Sequence, residues 1–396
     1  MAPRYDPTPD ERRALEALAE EVAGVQRTFV ANSPGLAQAD RGAHQPQLGG
    51  GKVLLHVNDT LPPELAGLGI FVPTGTTPRI GIGRMSNGLG CPHAETDADF
   101  LGLMVAFRAP DGRRVDFITI NDPGAPTDTP EEFVALLKAT ADAAARGQDG
   151  GLVNQLASQA RLLAGLVRHA GRRAPAIAAQ VIRQTARTTR SSTAYQQYWT
   201  GVVQARGVLG KFTFVPAADV NGHRPDGAGD RYLTEDWTRR HAAGAVEFGL
   251  YWIPFLDEAA TPIEDLTRGW KEDHRSRVGT VTFAAADPAA GETKLVALLA
   301  TEMGANQGNW IEDDRGGAQP DLPATRFTAA RMLAYRVSQR ERKALPDAQY
   351  ASFFETGVVE PALAAELVKR YHAKRGAAHG VPDVGELPAA ARGPVT

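Results

Sequence analysis

The sequence predicts an α+β protein, an eight-stranded antiparallel β-barrel with surrounding helices. One observation is that eight short runs of four to eight residues are rich in apolar, β-branched and aromatic side chains and are bounded by turn-forming residues. Another is that segments with apolar residues at helical spacing interrupt these runs without alternating regularly with them. This order argues against a doubly wound parallel sheet and favours a closed barrel with helices packed outside.

The first predicted element is a helix over residues 8–30. Thr8 can cap its N-terminus, and Pro9 suits the first helical position. The Gly-rich, polar stretch 32–51 that follows predicts a loop. We therefore expect residues 1–50 to form an N-terminal helix and arm.

The predicted strands come next. The clearest pair surrounds Pro110-Asp111-Gly112, which is a turn signal between two β-like runs and predicts a hairpin. In chain order, the eight predicted strands are 53–57, 69–72, 80–84, 102–107, 114–120, 211–215, 246–253 and 278–283.

Four further helical segments are predicted, and the second of them should break at Gly171 and Pro175. They lie at 131–147, 152–190, 325–342 and 359–375.

These elements predict a barrel domain over residues 51–345 with a helical insertion at about 131–202. C-terminal helices over 346–376 follow it. The tail 377–396 is rich in Ala, Gly and Pro, and its composition predicts disorder.

Composition excludes several classes of function. The 396 residues are 43% hydrophobic and 22% charged, which is typical of a globular chain. A net charge of −3 gives no reason to expect nucleic-acid binding, and the single cysteine, Cys91, rules out an internal disulfide and a thiolate metal cluster. The first residues are charged where a signal peptide needs an apolar core. We therefore expect a cytoplasmic protein.

Residues 151–190 contain seven arginines and no Asp or Glu, together with apolar residues at helical spacing. One interpretation is a pair of helices that cover the barrel and hold their arginines in solvent. The other is a basic amphipathic surface for anionic lipid or a fatty-acid carboxylate, which would make weak contact with a membrane surface.

A metal site at His93, Asp97 and Asp99 is also conceivable from residue type alone. No second cysteine pair accompanies Cys91 to complete a zinc site. A polar loop is therefore the preferred interpretation of this segment.

The most informative pattern is in 329-AARMLAYRVSQRER-342. Arg331 and Tyr335 are four residues apart and Arg342 follows seven residues later, so on a helix all three project from roughly one face. A guanidinium group one turn away favours the phenolate form of a tyrosine. A phenolate binds ferric iron well, and tyrosine is a known axial ligand of haem. Taken alone, the same pattern also fits a surface pair on a basic helix.

Other segments in the same order strengthen the first alternative. The chain resembles the catalase-like haem superfamily, whose members carry R-x-x-x-Y with another Arg seven residues after the Tyr. Upstream, 53-VLLHVNDTLPPELAGLGIF-71 is similar to the strand that ends in the distal His, which corresponds to His56. Arg84 in 83-GRMSNGLG-90 corresponds to an Arg that binds a haem propionate, and Asn121 in 116-DFITINDP-123 corresponds to the distal Asn. The resemblance covers roughly residues 50–345.

The resemblance has departures. Catalases carry an Arg three residues before the distal His, where this alignment has Val53, and a D-P-R-G strand whose Arg corresponds to Leu101. Leu55 stands where catalases usually have Val. In its length and in these missing arginines the chain looks more like the catalase-related allene oxide synthase domain of corals and the small bacterial catalase-related peroxidases.

The resemblance implies haem b with Tyr335 as the iron ligand, Arg331 beside it, and Arg84 and Arg342 on the propionates. His56 would be the acid–base group, and Asn121 would hold a small-molecule peroxide. Each residue alone also has an ordinary structural explanation.

Three functions follow from this resemblance. One is a peroxidase or rearranging enzyme for organic hydroperoxides such as those of fatty acids. The others are a minimal catalase for hydrogen peroxide and a non-catalytic haem-binding or lipid-surface protein. The sequence is also compatible with assembly into a homo-oligomer.

Overall fold

A computed structural model describes residues 5–32, 38–45, 47–88, 90, 94–144, 152–187, 191–205, 207–218, 228–310 and 323–374. The predictions for Cys91 and His93 and for the tail 377–396 lie outside these residues.

The described strands form one antiparallel sheet that closes on itself. Its order is β5-β4-β3-β2-β1-β9-β8-β7, and pairing of β5 with β7 closes an eight-stranded barrel, while the short β6 pairs only with β7. The predicted barrel is thereby confirmed. The strands are β1 Gln47–Val57, β2 Arg79–Asn87, β3 Leu101–Arg108, β4 Arg114–Ile120, β5 Tyr198–Thr200, β6 Val203–Ala205, β7 Val208–Pro216, β8 Val246–Pro254 and β9 Ser276–Phe283.

One predicted strand is wrong. Residues 69–72 form turns, and β5 takes the eighth place in the barrel. Gly67 and Gly69 have positive φ angles of 77° and 55°, which an extended strand does not allow. Phe71 is fully buried and stacks on Phe212 of β7 with ring centroids 5.2 Å apart. The run is apolar because it closes one end of the barrel core.

The barrel interior is filled by the inward side chains of alternating strand positions. Phe117 of β4 makes edge-on contacts with Phe212 and Phe214 of β7, at centroid distances of 5.1 and 5.4 Å. Residues between these positions face outward, where the helices cover the wall. A site on the outer wall of the barrel is therefore built from the strand residues whose side chains face outward.

The helical segments are largely as predicted, and Gly171, with φ of 54°, breaks the long one. Three helices lie outside the predicted helical segments, at Tyr232–Ala243, Gly291–Glu302 and Phe353–Thr356. None of the described helices is both long and apolar enough to cross a membrane. The helices are α1 Pro9–Asn32, α2 Pro130–Ala144, α3 Leu152–Ala170, α4 Ala174–Arg187, α5 Tyr232–Ala243, α6 Gly291–Glu302, α7 Arg326–Glu341, α8 Phe353–Thr356 and α9 Pro361–Ala373.

Two of these helices position the candidate site. Helix α6 packs on the outside of β1 and β2, where Leu299 and Ala300 join a core with Ile82 of β2. Helix α7 packs along α1 through apolar contacts such as Leu15 with Ala330. The C-terminal ends of α6 and α7 meet beside the barrel wall.

Candidate functional site

The tyrosine pattern lies on α7 as the sequence predicts. Thr325 caps the helix by accepting a hydrogen bond from Thr328 N–H. Arg331 Nη2 donates to the Tyr335 hydroxyl oxygen at 2.9 Å, and the guanidinium carbon lies 5.7 Å from the centre of the tyrosine ring. Helical spacing thus brings a cation onto the phenol oxygen.

Arg342 caps the C-terminal end of the same helix, roughly 10 Å along the axis from Tyr335 at 1.5 Å per residue. Its guanidinium donates to the carbonyls of Thr301 and Glu302 at 3.3 Å and to that of Met303 at 2.6 Å. These carbonyls are at the C-terminal end of α6, where unpaired acceptors and the helix dipole favour a cation.

A second arginine, which sequence reasoning missed, binds the same helix end. Arg41 Nη2 donates to Thr301 O at 2.8 Å and to Met303 O at 3.3 Å. On the barrel wall, Arg84 of β2 donates to Gln45 O at 2.8 Å. Arg41, Arg84 and Arg342, together with the carboxylate of Asp40, are hereafter the site arginine cluster.

Burial lowers the pKa of all three guanidinium groups in this cluster. The pKa of Arg84 falls to about 10, because the Asp40 carboxylate opposes the effect of burial only in part and Arg342 adds to it. The charges of Arg342 and Arg84 further lower the pKa of Arg41. The three cations are therefore close enough to repel one another.

Asp40 is the acidic member of the cluster. Burial acts to raise its pKa, but the positive charges of Lys374, Arg41 and Arg342 lower it overall. The positive charge of Lys374 is neutralised by Glu302, because Lys374 Nζ lies 2.7 Å from Glu302 Oε1. Three guanidinium charges minus one carboxylate charge leave the cluster with a net charge of +2.

Two hydrogen-bond donors of the cluster are unused. The Nε atoms of Arg41 and Arg84 are buried and have no partner among the described residues. A buried donor without a partner costs about 1–3 kcal/mol, so such groups point to a ligand that accepts from them. With the surplus charge, they make this cluster suited to an anion.

His44 lies next to the cluster, three residues after Arg41, and was also missed. Its Nδ1 is 3.2 Å from Ser86 Oγ, and Ser86 follows Arg84 by two residues on β2. Burial, opposed by Asp99 but aided by Arg84 and Arg41, lowers the pKa of His44 to about 4. The imidazole is therefore neutral at pH 7.

The backbone at this point is unusual. Within the described residues, the non-glycine residues with positive φ are His44 at 55° and Lys343 at 52°, and Lys343 directly follows Arg342. Such conformations are uncommon for these residue types and concentrate at functional sites. Both residues with positive φ therefore lie next to the site arginine cluster.

Asn121 and His44 both contact the start of β3. The His44 ring lies so close to Gly102 that a Cβ there would overlap it, and Gly102 follows Leu101 at the start of β3. Leu101 N–H donates to Asn121 Oδ1 at 2.7 Å, whereas Asn121 Nδ2 is buried without a partner in the described chain. The imidazole and an unused amide donor thus flank the same strand end.

Helix α7, which carries Tyr335, packs against α1 and α2. Ala43, which precedes His44, and Ala334, which precedes Tyr335, pack against one apolar cluster formed by these two helices. Gln26 of α1 also donates to the carbonyls of Asp40 and Ser338. Helix α1 therefore ties the Arg41–His44 segment to α7.

The structure does not bring His56 to this group. Its side chain is exposed near the end of β1, whereas Arg84 pairs with Gly50 near the strand's beginning. Six residues of strand separate these positions, roughly 20 Å at 3.3 Å per residue. Because β1 begins six residues earlier than predicted, the histidine beside Arg84 precedes the strand and is His44.

Burial explains why the chain lacks arginine at the two positions where the resemblance predicts one. Val53 and Leu101 are fully buried inside the barrel, so an arginine at either position would point into the core. The spacing of an Arg three residues before a His is present at Arg41 and His44 instead. That spacing was the sequence signal that could have identified them.

A cavity of about 250 Å³ adjoins Asn121. Its walls come from the loop after β4, from α4, from β5 and from the loop before β9, and include Pro123, Gln180, Arg183 and Trp199. The cavity joins the Asn121 side of the site to α4.

The suggested metal site at His93, Asp97 and Asp99 stays a prediction, because His93 lies outside the described residues. The Asp99 carboxylate accepts from the Gly88 and Phe100 N–H groups at 2.8 and 2.7 Å.

Two solved structures have a similar fold. A fungal catalase superposes with a TM-score of 0.55 and 15% identity over 77% of this chain. Catalase A from Saccharomyces cerevisiae gives 0.58 and 14% over 82%. The matches span 59% and 66% of the two catalases, less than two thirds of either. No protein-family model and no curated protein matches the sequence. The chain has a catalase-like fold.

Proposed function

We propose that this protein is a haem-dependent hydroperoxide-metabolising enzyme that works through His44 and Asn121. The observation that carries this proposal is the conjunction of Tyr335, paired with Arg331, and the site arginine cluster, whose net charge of +2 sits at the end of the same helix. The catalase-like fold supports it.

The residues present fit haem b. Its two propionates carry two negative charges, which match the surplus of the site arginine cluster, and the buried Nε atoms of Arg41 and Arg84 could donate to them. Tyr335 would be the iron ligand, as tyrosine is in catalase. Arg331 would donate to its phenol oxygen and place a positive charge beside that anionic ligand.

Bound haem would supply a ferric iron at which the O–O bond of a peroxide can be cleaved. His44 would act as the acid–base group. Since its imidazole is neutral, it can accept the proton of the peroxide at one oxygen and return it at the other. Ser86 holds Nδ1, so Nε2 is the nitrogen for this transfer. Asn121 Nδ2 would donate to the peroxide.

Organic hydroperoxides are the proposed substrates. The cavity beside Asn121, at about 250 Å³, has room for an organic group that hydrogen peroxide lacks. Arg183 on its wall could attract a carboxylate, as in a fatty-acid hydroperoxide. Rearrangement of the hydroperoxide needs no further reactant, whereas its reduction to an alcohol needs a co-substrate that donates two electrons.

A minimal catalase is the second candidate. It is favoured by Arg41, because the arginine three residues before the acid–base histidine is present once that histidine is His44. This removes one of the two missing arginines that distinguished the chain from catalases.

The decisive experiment follows haem-loaded protein in an oxygen electrode with hydrogen peroxide, and then with a polyunsaturated fatty-acid hydroperoxide by its conjugated-diene absorbance. Loss of the diene signal without oxygen release would support the organic-hydroperoxide function. Rapid oxygen release with no turnover of the organic substrate would establish the catalase alternative. No turnover of either would refute both.

Variants then test the residue assignments. We expect His44→Gln to lower kcat by about 10²–10⁴, the usual contribution of a general acid–base group. His56→Gln is the matched histidine control, and a larger loss there than at His44 would contradict the assignment. Tyr335→Phe should change the haem spectrum, because it removes the anionic ligand; an unchanged spectrum would place the ligand elsewhere.

A further inference from the structure

Helices α3 and α4 expose apolar side chains on their outward faces. Six large hydrophobic residues are exposed in the described chain, and three lie here: Leu163 at 48%, Val167 at 55% and Ile182 at 66%. The smaller exposed residues beside them are also apolar. This surface, hereafter the α3–α4 face, consists of Ala160, Leu163, Ala164, Val167, Pro175, Ala176, Ala179, Ile182 and Ala186.

Internal packing does not account for this face, because the helices bury different residues. Gly165 of α3 lies against Ala139 of α2 so closely that a Cβ would come within 2.9 Å of its Cα. Leu166 and Ile177 join the same buried cluster. A surface helix of a soluble protein normally carries polar residues opposite its packed stripe. These two helices are apolar on both sides.

The charged side chains of α3 and α4 themselves are positive, although Arg173 pairs with Glu132 of α2 at 2.6 Å. No Asp or Glu occurs between residues 152 and 187. Arg172 is exposed, and Arg168, also exposed, reaches Asp142 of α2 only at 3.4 Å. Arg183 is exposed on α4 and donates to Gln180 of its own helix. Exposed apolar side chains and exposed guanidinium groups on the same two helices fit a partner that is both apolar and anionic.

We propose that the α3–α4 face docks this protein on the surface of an anionic lipid bilayer. Interfacial helices bind in this way, with apolar side chains below the headgroups and basic residues among them. A second copy of the chain fits less well. A two-fold contact would set the same patch against itself, so that arginines would meet arginines with no acidic residue on α3 or α4 to balance them.

The position of the face also suggests why docking would be useful, a point that rests on the proposed function. Gln180, Arg183 and Gln184 of α4 line the cavity that reaches Asn121. A docked protein would therefore hold this cavity near the bilayer, where lipid hydroperoxides reside.

The test uses the full-length protein and sedimentation with phosphatidylcholine vesicles that do or do not contain phosphatidylglycerol. We expect binding only to the anionic vesicles, and weakening as salt is raised, since exposed charges are screened. Equal binding to both vesicles, or none to either, would overturn the proposal. Because vesicle binding needs no haem or turnover, this result is independent of the proposed enzymatic function.

Two sets of variants locate the contact. The triple variant Leu163→Ser, Val167→Ser and Ile182→Ser should lose at least about tenfold in vesicle affinity, because each side chain would otherwise enter the interface. The matched control changes the other three exposed hydrophobics, Val72, Leu256 and Val358, to Ser and should bind as wild type. Equal losses in the two triple variants would refute the location.

The charge contribution is tested separately. Arg168→Gln and Arg172→Gln should each weaken binding by about fivefold, the effect of one basic residue near an anionic surface. Sedimentation equilibrium without vesicles checks the competing partner. A dimer that the Leu163, Val167 and Ile182 variant dissociates would assign this face to a second copy and overturn the proposal.

Discussion

Arg114 and the site arginine cluster both lie outside the same barrel, and they differ in how their hydrogen-bond donors are used. Arg114 of β4 binds both oxygens of Asp116 at 2.7–2.9 Å. It also donates to Asp347, Tyr350 and the carbonyl of Gly304. Burial acts to lower the pKa of Arg114, but its acidic neighbours raise it overall. This arginine is satisfied within the chain.

The site arginine cluster is different in both respects. It has a surplus of two positive charges, and the buried Nε atoms of Arg41 and Arg84 have no partner within the part of the chain that the structure describes. Its pKa shifts are downward, as expected for cations that lack enough counter-charge. The comparison suggests that Arg114 holds the fold together, whereas the site arginine cluster is prepared for an anionic ligand.

The largest effect that distinguishes Arg114 from the site arginine cluster should be the loss of stability in Arg114→Met. It leaves the fully buried Asp116 without its counter-ion, and breaking such a pair typically costs about 3–5 kcal/mol. Urea unfolding of the haem-free protein measures this loss. A loss below about 1 kcal/mol would show that the pair is not structural.

Haem affinity should depend on the site arginine cluster. Arg84→Met and Arg342→Met each remove charge-assisted hydrogen bonds worth about 1.5–3 kcal/mol, so we expect haem affinity to fall roughly 10- to 100-fold. Haem titration followed by absorbance measures the change. Arg336→Met, on the exposed side of α7, is the matched control. A comparable loss in this control would mean that the propionates are not bound by the site arginine cluster.

Sequence reasoning was most successful where the pattern lies within one element. The spacing of Arg331, Tyr335 and Arg342 depends only on helical geometry, and α7 realises it. The barrel followed from the number of strands, although β5, with three residues, was too short to give a signal. The run 69–72 was misassigned because a short apolar segment does not distinguish a strand from a buried turn.

The assignment of the acid–base group to His56 has a different origin. The short apolar run 53-VLLHV-57 resembles a catalase strand that ends in a histidine, and this resemblance favoured His56. His44 instead lies in a Gly-rich segment without periodicity, and its position depends on Ser86 and Gly102 from other strands. Such tertiary contacts are not visible in local sequence. Only the three-residue spacing from Arg41 marked it.

A smaller effect should appear when pH is lowered. The pKa of His44 is about 4 in the fold and about 6.5 when unfolded, so between these values the unfolded chain binds more protons. Stability should therefore fall as pH drops from 6.5 to 4, on the order of 2 kcal/mol after allowance for the partial exposure of His44.

His44→Gln should lack this contribution. The difference between wild type and variant in urea unfolding isolates it from the titration of carboxylates, and above pH 7 the difference should be constant. An identical pH dependence in both proteins would show that His44 is not held neutral by its surroundings.

The smallest expected effect is also the sharpest contrast with Arg114. In the haem-free protein, Arg84→Met removes a buried cation that is repelled by Arg342 and whose Nε has no partner among the residues that the structure describes. It puts an apolar chain of similar length in its place. Replacing such a charge is often neutral or stabilising, so we expect a change between about 0 and +1 kcal/mol in the free energy of unfolding. Urea unfolding without haem measures it.

The same Arg→Met change would then have opposite consequences at two places on one barrel, because Asp116 neutralises Arg114 within the chain, whereas Arg84 requires an anion from outside it. A loss of 3 kcal/mol or more, which is roughly that expected at Arg114, would mean that Arg84 serves the fold rather than a ligand.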